Sequence, residues 1–238
     1  GLNRAYVTQG LKIMARRGVI LAAGGFERNT ALRAAHLPSS SEPEASGSQQ
    51  NNTGDALAVA TAVGAATRNL DAAWWAPTFR VPGEDRARLS TVERALPYSF
   101  MVNQAGERYA NEALAYHRFG EAMMAANKPG AATDPSWIVF DANYRKRYPM
   151  GPVIPGFPDW MLSKGVRQVL VKAGSIARLA EGMGVPADTL VRTAERFNAM
   201  ARAGKDEDFG RGDATYDRLY GDPREAPALL LQGLHVGG

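Results

Sequence analysis

Cysteine is absent from this chain of 238 residues, and its three histidines lie far apart in sequence. The lack of cysteine excludes disulfides, thiolate metal ligands and cysteine nucleophiles. Because His36, His117 and His235 do not have the spacing of metal ligands, we predict that the protein holds no metal.

Neither the charge nor the hydropathy of the chain is typical of a protein that binds nucleic acid or spans a membrane. The 28 basic and 24 acidic residues leave a net charge of +4, and the basic residues are scattered. Nucleic-acid binding needs them clustered on one face. No apolar run approaches the ~20 residues of a membrane span, and no secretion leader opens the chain. We therefore predict a cytoplasmic protein with no nucleic-acid partner and no membrane span.

The chain is long enough for one large domain or two small ones, with a hydrophobic core. Its composition changes near Leu70, where the segment LDAAWWAPTF brings two tryptophans and a proline. We predict a domain boundary there, between residues 1–69 and 70–238. Trp74 and Trp75 would bury a large area wherever they pack, so the core is their expected place.

The stretch SFMVNQAGERYANEALAYHRFG predicts a hairpin of two strands, Ser99–Asn103 and Arg108–Glu112, followed by a helix from Ala113. Glu112 and Tyr116 are four residues apart, so we expect them on one helix face. An acid and a phenol placed in this way suit proton transfer or the binding of a polarised carbonyl. A solvated helix start, with Tyr116 at the edge of the core, explains the same residues.

Two glycine-containing segments precede predicted helices. Gly18–Leu21 is a continuous apolar run, as in a strand covered on both faces, and Ala23-Gly24-Gly25 follows it. Such small residues allow a backbone or a flat ligand to approach closely, although a plain turn also uses them. Thr53-Gly54-Asp55 precedes a second helix, where Asp55 either caps the helix or borders an anion site at its first amides.

Cap residues mark further helices in the second half of the chain. Asp141 begins one after the apolar strand Trp137–Phe140. Ser175 begins a second helix that Gly184 ends. The longest helix is predicted from Pro186 to Gly204.

These segments, taken in order, resemble a known family. GVILAAGGFERN, NTGDALAVATAVGAA, DAAWWAPT and VNQAGERYANEALAYHRFG are similar to the flavoproteins that include fumarate reductases and 3-ketosteroid dehydrogenases. WIVFDANYRKRYP, RFNAMARAGKDEDFGRG and YDRLYGDP look most like the 3-ketosteroid Δ1-dehydrogenase branch. The resemblance covers nearly the whole chain. It implies an FAD-dependent oxidoreductase of steroid metabolism, with an α+β catalytic domain (70–238) inserted into a Rossmann-type FAD domain of which 1–69 is one flank.

The resemblance also implies roles for individual residues. It places next to FAD, or in the same domain, the residues Ala23, Gly24, Gly25, Thr53, Gly54 and Asp55. The first three approach the adenosine–pyrophosphate half of the cofactor. Tyr116 falls where this branch has the tyrosine base that takes a proton from the steroid while a hydride passes to the flavin. A tyrosine here favours a neutral, apolar ketone over a small dianion.

Two parts of the family pattern are not found in this sequence. The Gly-rich dinucleotide fingerprint should precede the chain, and the segment that binds the 3-keto oxygen should follow it. We therefore expect the flanking FAD-domain segments to be required partners, and the isolated chain to be inactive. Two other functions remain open: a flavin-dependent reductase of small unsaturated acids, and a non-catalytic fragment that binds an apolar ligand.

Overall fold

The computed structural model describes residues 15–38 and 45–222. His235, residues 1–14 of the predicted first domain and residues 223–238 of the second lie outside the described part. The described helices are α1 Thr30–His36, α2 Asp55–Ala62, α3 Tyr116–Ala126, α4 Ala142–Arg147, α5 Lys164–Val169, α6 Ile176–Met183, α7 Ala187–Ala203 and α8 Thr215–Leu219. The strands are β1 Thr78–Phe79, β2 Arg88–Leu89, β3 Ser99–Val102 and β4 Trp137–Phe140, and Glu93–Ala95 and Asp159–Met161 form short 3-10 turns.

The strands form two antiparallel pairs, β1 with β2 and β3 with β4. In the second pair Ser99 lies opposite Phe140 and Val102 opposite Trp137. The predicted return strand Arg108–Glu112 is wrong, because that segment is irregular and β4 takes its place beside β3. The Glu112 side chain accepts the Met101 N–H, so this segment meets β3 through a carboxylate and not through a main-chain ladder.

Helices α6 and α7 form a hairpin that packs on β3. Ser175 accepts the Arg178 N–H at the start of α6, and Gly184 ends that helix in a left-handed conformation. Gly204 ends α7 in the same way, so both predicted helices are confirmed. The apolar face of α7 is fully buried against β3 through residues such as Leu190, Phe197, Phe100 and Val102.

A second core lies around α4. Asp141 accepts the Tyr144 N–H and caps the helix as predicted. Tyr144 is fully buried, and its hydroxyl group donates to the main-chain carbonyl oxygens of Glu93 and Pro149, each 2.9 Å away. Because a buried hydroxyl needs such acceptors, these bonds fix the 3-10 turn before β3 to the end of α4.

The first described segment departs from expectation. Gly18–Leu21 is not a strand, and its apolar side chains face solvent, with Ile20 94% exposed. A strand of this kind needs covering layers, and no described residue supplies them. Trp74 is 81% exposed, so its predicted place in the core is wrong, whereas Trp75 is half-buried. The helix predicted after Ala23-Gly24-Gly25 is confirmed as α1, with Asn29 as its cap.

Candidate functional site

The structure brings together the loops that precede α1 and α2. The Gly54 N–H donates to the Gly25 carbonyl at 3.0 Å. The Asn29 side chain donates to the Thr53 carbonyl at 2.9 Å. Gly24 and Gly54 have φ angles of 81° and 86°, which glycine adopts without strain. Five of the six residues predicted for the cofactor therefore lie in or beside one pair of loops, and Ala23 is exposed at their start.

Protein packing by itself explains why two of these residues are glycines. A Cβ on Gly54 would lie 2.7 Å from Leu32 Cδ1 and 3.0 Å from Phe26 Cβ. A Cβ on Gly24 would lie 2.5 Å from the Asn52 Oδ1 atom. The close approach at these glycines is thus to neighbouring side chains of the chain itself.

Asp55 does not cap α2, since Gly54 occupies the cap position and Asp55 is the first helical residue. Its carboxylate accepts the Thr53 hydroxyl at 2.8 Å, and both side chains are at least partly open to solvent. A carboxylate repels a phosphate but accepts hydrogen bonds from sugar hydroxyls. This donor and acceptor set therefore fits a ribose or ribityl chain of FAD better than its pyrophosphate.

Tyr116 is the first residue of α3 and is half-buried. Its ring centroid lies 6.0 Å from that of the exposed Trp74. The neighbouring His117 accepts the Trp75 N–H on Nδ1 at 3.2 Å. Gly120 has no side chain, which lets Trp75 lie close to α3, because a Cβ at this position would be 2.7 Å from the Trp75 Cβ. The two-tryptophan segment is thereby held along the first turns of α3.

Glu112 does not share a helix face with Tyr116, because it precedes α3 and its side chain points into the interior. It is fully buried and forms an ion pair with Arg108 at 2.7 Å. Burial raises the pKa of Glu112, but the Arg108 charge and hydrogen bonds outweigh it and leave the pKa below its usual value. Glu112 is consequently an ionised structural anchor and not a proton acceptor at neutral pH.

The anchor belongs to a buried network that sequence analysis missed. Arg108 also donates to Asp206, at 2.9 Å, and Arg211 lies 3.5 Å from Glu112. Arg211 is fully buried and donates to the main-chain carbonyls of Ser99, Ala95 and Leu96. The sequence signal was present in GERYANE and DEDFGRG, whose charges are complementary.

The same network places α8 beside the start of α3. The buried Asn111 side chain donates to Asp217 at 2.9 Å, and the Gly212 N–H donates to the same carboxylate at 3.0 Å. Asp217 lies next to Tyr216, whose ring centroid is 5.2 Å from that of Tyr220. Tyr216 and Tyr220 are both 37% exposed. Neither tyrosine was predicted as a site residue.

Burial raises the pKa of Tyr216, and its interactions with Tyr220 and then Tyr116 raise it further, while the Arg94 charge opposes them. We refer to Trp74, Tyr116, Tyr216 and Tyr220 as the aromatic cluster.

An apolar cleft of about 1670 Å³ lies along α3 on the side of Met123 and Gly120. Its lining also includes Trp75, Ile138 and Leu179, but not Tyr116. No described helix is long and apolar enough to cross a membrane. Among residues 15–38 and 45–222, no group of three acidic or histidine side chains could hold a metal ion.

Comparison with known proteins gives consistent relatives. Residues 6–232 match the family model described as FAD binding domain. The chain is 42% identical over 222 residues to a 3-oxosteroid 1-dehydrogenase of Mycobacterium tuberculosis, covering 90% of this chain and 38% of the relative. It is 36% identical to a 4-oxocyclohexanecarboxylate 2-dehydrogenase of Sinomonas cyclohexanicum, covering 91% of this chain and 37% of that one.

A solved structure is similar over most of this chain. It is the 3-ketosteroid Δ1-dehydrogenase of Sterolibacterium denitrificans in complex with 1,4-androstadiene-3,17-dione. The TM-score is 0.81 at 37% identity, covering 95% of this chain and 41% of that one. The fold is thus that of the fumarate reductase-like flavoproteins, with helices and few strands. The chain spans about two fifths of the length of these relatives.

Proposed function

We propose that this chain, which belongs to the FAD binding domain family, carries the catalytic domain of an FAD-dependent 3-ketosteroid dehydrogenase. The observation that carries the proposal is the half-buried Tyr116 beside the exposed Trp74 at the start of α3, in a chain 42% identical to a 3-oxosteroid 1-dehydrogenase. In this proposal residues 70–238 are the catalytic domain of fumarate reductase type, and residues 1–69 are a flank of a Rossmann-type FAD domain. The cytoplasmic location stays a prediction of the sequence.

FAD is the cofactor of this family. We assign to it the paired loops described above, which contain Ala23, Gly24, Gly25, Thr53, Gly54 and Asp55. The exposed Asp55 and half-buried Thr53 side chains suit its sugar hydroxyls, and their position at the start of α2 supports this assignment. The adenosine–pyrophosphate half is assigned to the segment of Ala23, Gly24 and Gly25. When bound, FAD supplies the acceptor for the hydride that leaves the substrate.

The residues of this chain act on the hydrogen that leaves the substrate as a proton. A 3-keto group makes the proton on the neighbouring carbon acidic, because the electron pair left behind is delocalised onto the ketone oxygen. Tyr116, once its own hydroxyl proton has passed to a neighbour, takes that proton on its phenolate oxygen, a hydride leaves the adjacent carbon, and a carbon–carbon double bond forms between the two carbons. Trp74 offers a flat apolar surface, which suits a fused-ring substrate better than a small dianion.

A second candidate substrate is a small cyclic ketone. The similarity to a 4-oxocyclohexanecarboxylate dehydrogenase favours it, since that relative is also named for the dehydrogenation of a ring ketone. Tyr116 would have the same role with either substrate. A reductase of small unsaturated acids would instead need a cation that is free to bind a carboxylate.

The test uses a form of the protein as long as its relatives, loaded with FAD, and an artificial electron acceptor. A 3-keto-4-ene steroid should be dehydrogenated with a kcat/KM at least tenfold above that for 4-oxocyclohexanecarboxylate. Reduced dye with fumarate tests the reductase alternative in the same preparation. Turnover of the keto acid or of fumarate without turnover of the steroid would overturn the proposal.

A further inference from the structure

Trp74 lies where the apolar cleft meets the aromatic cluster. Within the described part of the chain, it is the only member of the cluster that also lines the cleft. Its ring is 81% exposed, and its centroid lies 6.0 Å from that of Tyr116. An apolar molecule in the cleft therefore reaches Tyr116 past the Trp74 ring, and the place of this ring affects how such a molecule is oriented.

The main chain around Trp74 is held at few points. A turn closed by a hydrogen bond over residues 69–72 precedes it, and β1 follows it. Within residues 73–76, the Trp75 N–H makes the only main-chain hydrogen bond to another residue of the described part, and its acceptor is Nδ1 of His117 at 3.2 Å. A tryptophan that lies largely in solvent gains little from burial, so this bond sets where the Trp74 ring lies.

Helix α3 contacts the two tryptophans through its first residues. Tyr116 lies beside the Trp74 ring, and the next residue, His117, binds the Trp75 main chain. Gly120 follows His117 by three positions, so the two lie on one face of the helix. A side chain at Gly120 would collide with Trp75, whose Cβ lies 2.7 Å from the place of a Cβ there. The start of α3 thus offers both a hydrogen bond and a gap to this segment.

The bond to Trp75 requires one tautomer of His117. A main-chain N–H can only donate, so Nδ1 carries no hydrogen and the hydrogen of the neutral ring is on Nε2. The Glu121 carboxylate lies 3.3 Å from Nε2, and its other partner is Arg118 at 2.8 Å. A carboxylate beside one ring nitrogen favours the tautomer with the hydrogen on that nitrogen. The surroundings of His117 therefore favour the tautomer that can hold Trp75.

We propose that His117 is a positioning residue of the candidate site. Its Nε2–H tautomer holds the Trp75 main chain and thereby keeps the Trp74 ring at the boundary between the cleft and Tyr116, where the ring orients the substrate. The inference rests on the proposed function insofar as it gives Trp74 a ketone to orient. A ring that is fixed before the substrate arrives loses little freedom on binding, which strengthens binding. His117 itself touches neither substrate nor FAD and acts through the tryptophan.

Three substitutions of His117 separate the acceptor from the ring. His117→Asn places an amide oxygen the same number of bonds from the main chain as Nδ1, so it keeps the acceptor. His117→Gln places that oxygen one carbon further out, and His117→Phe keeps a ring without an acceptor. His36→Phe makes the same change at the other histidine of the described part and serves as the control.

The bond itself is measured without substrate. In the 238-residue chain labelled with 15N-tryptophan, NMR follows hydrogen exchange of the Trp75 amide, and Trp75→Phe identifies its signal. Exchange should be about fivefold faster in His117→Phe and His117→Gln, the factor that one hydrogen bond of typical net strength represents. His117→Asn and His36→Phe should exchange like wild type. With 15N-histidine at pH 8, where a free imidazole is neutral, His117 should carry its hydrogen on Nε2.

The use of the bond is measured in the full-length enzyme loaded with FAD. His117→Phe should raise the KM for the 3-keto-4-ene steroid about fivefold and change kcat by less than about twofold, because the lost interaction serves substrate and transition state alike. His117→Asn should restore the KM. Trp74→Ala combined with His117→Phe should have the KM of Trp74→Ala alone, because the effects of residues that act through one another do not add.

Several results would overturn the inference. Equal exchange of the Trp75 amide in wild type and His117→Phe would do so, as would a hydrogen on Nδ1 of His117 at pH 8. KM effects of Trp74→Ala and His117→Phe that multiply would show that His117 does not act through that ring. If His117→Phe does not fold, equal exchange and equal KM in the Asn and Gln variants overturn the inference. The expected exchange pattern without steroid turnover would reject the proposed function alone and support the role of His117 in holding the two tryptophans.

Discussion

Replacing Glu112 by glutamine is a test of the buried network that holds the candidate site. Glutamine keeps the shape and removes the charge from a side chain that is 0% exposed. Arg108 would keep Asp206 as a partner, but Arg211 would lose the Glu112 carboxylate, which lies 3.5 Å from its guanidinium. Removing one partner from a buried ion pair typically destabilises the fold by about 3–5 kcal/mol. Because Arg108 keeps Asp206 as a partner, we expect the lower end of this range, about 3 kcal/mol.

The measurement is urea unfolding of the 238-residue chain at pH 7, followed by circular dichroism. Thermal unfolding of the same variant without urea should give a melting temperature roughly 10 °C lower, which is the shift that about 3 kcal/mol causes in a chain of this size. Glu121→Gln is a matched control, because Glu121 forms an exposed ion pair with Arg118 at 2.8 Å. Exposed pairs contribute at most about 1 kcal/mol, so this variant should unfold close to wild type. Equal shifts in the two variants would refute our account of the network.

The effect should also depend on pH. The pKa of Glu112 in the folded state lies below its usual value of 4.5. Its ionised form therefore stabilises the fold above that value, and the contribution is lost as the pH falls through the folded pKa. Wild type and Glu112→Gln should accordingly converge in stability in strong acid. A difference that stays constant from pH 7 to acid would contradict the ion-pair explanation.

Three further predictions concern the candidate site. The isolated chain should bind FAD weakly or not at all, because the Gly-rich turn that supplies a helix N-terminus to the pyrophosphate is not found in this sequence; stoichiometric binding in a fluorescence titration at micromolar protein would contradict this. Residues from Leu70 onward should exchange amide hydrogens more slowly than the preceding segment, whose Ile20 is 94% exposed. Equal protection would show one cooperative unit. Tyr116→Phe in the full-length enzyme should lower steroid turnover by ~10² to 10⁴ with the fold unchanged, as for a lost proton acceptor; a change of a few-fold would point to another tyrosine.

Local chemistry made the helix ends predictable from the sequence. Ser175 and Asp141 each accept an N–H three residues later, and Gly184 and Gly204 adopt left-handed conformations. Each of these signals involves atoms only a few residues apart. Asp55 was offered as a possible cap and is not one, because the glycine before it occupies the cap position and Asp55 is the first residue of α2.

Pairing between distant segments could not be predicted in this way. The strand Ser99–Val102 was correctly identified, but its partner lies beyond α3, at Trp137–Phe140, and not in the next few residues. Glu112 was expected on a helix face, and its real partners include Arg211, 99 positions away. Spacing within a short stretch carries no information on such contacts.

The candidate site depends on these distant contacts more than on its own stretch of sequence. Tyr116 itself follows from the sequence, but its surroundings come from distant segments: the Trp74 ring lies beside it, and the bond from Asn111 to Asp217 holds α8 near the start of α3. Tyr216 is held there by Asp217, which bonds to Asn111 from 106 positions away. Because Asn111 immediately precedes Glu112, the ion pairs that stabilise the fold also hold α8 beside the start of α3. Loosening the network should therefore weaken proton transfer before it unfolds the protein.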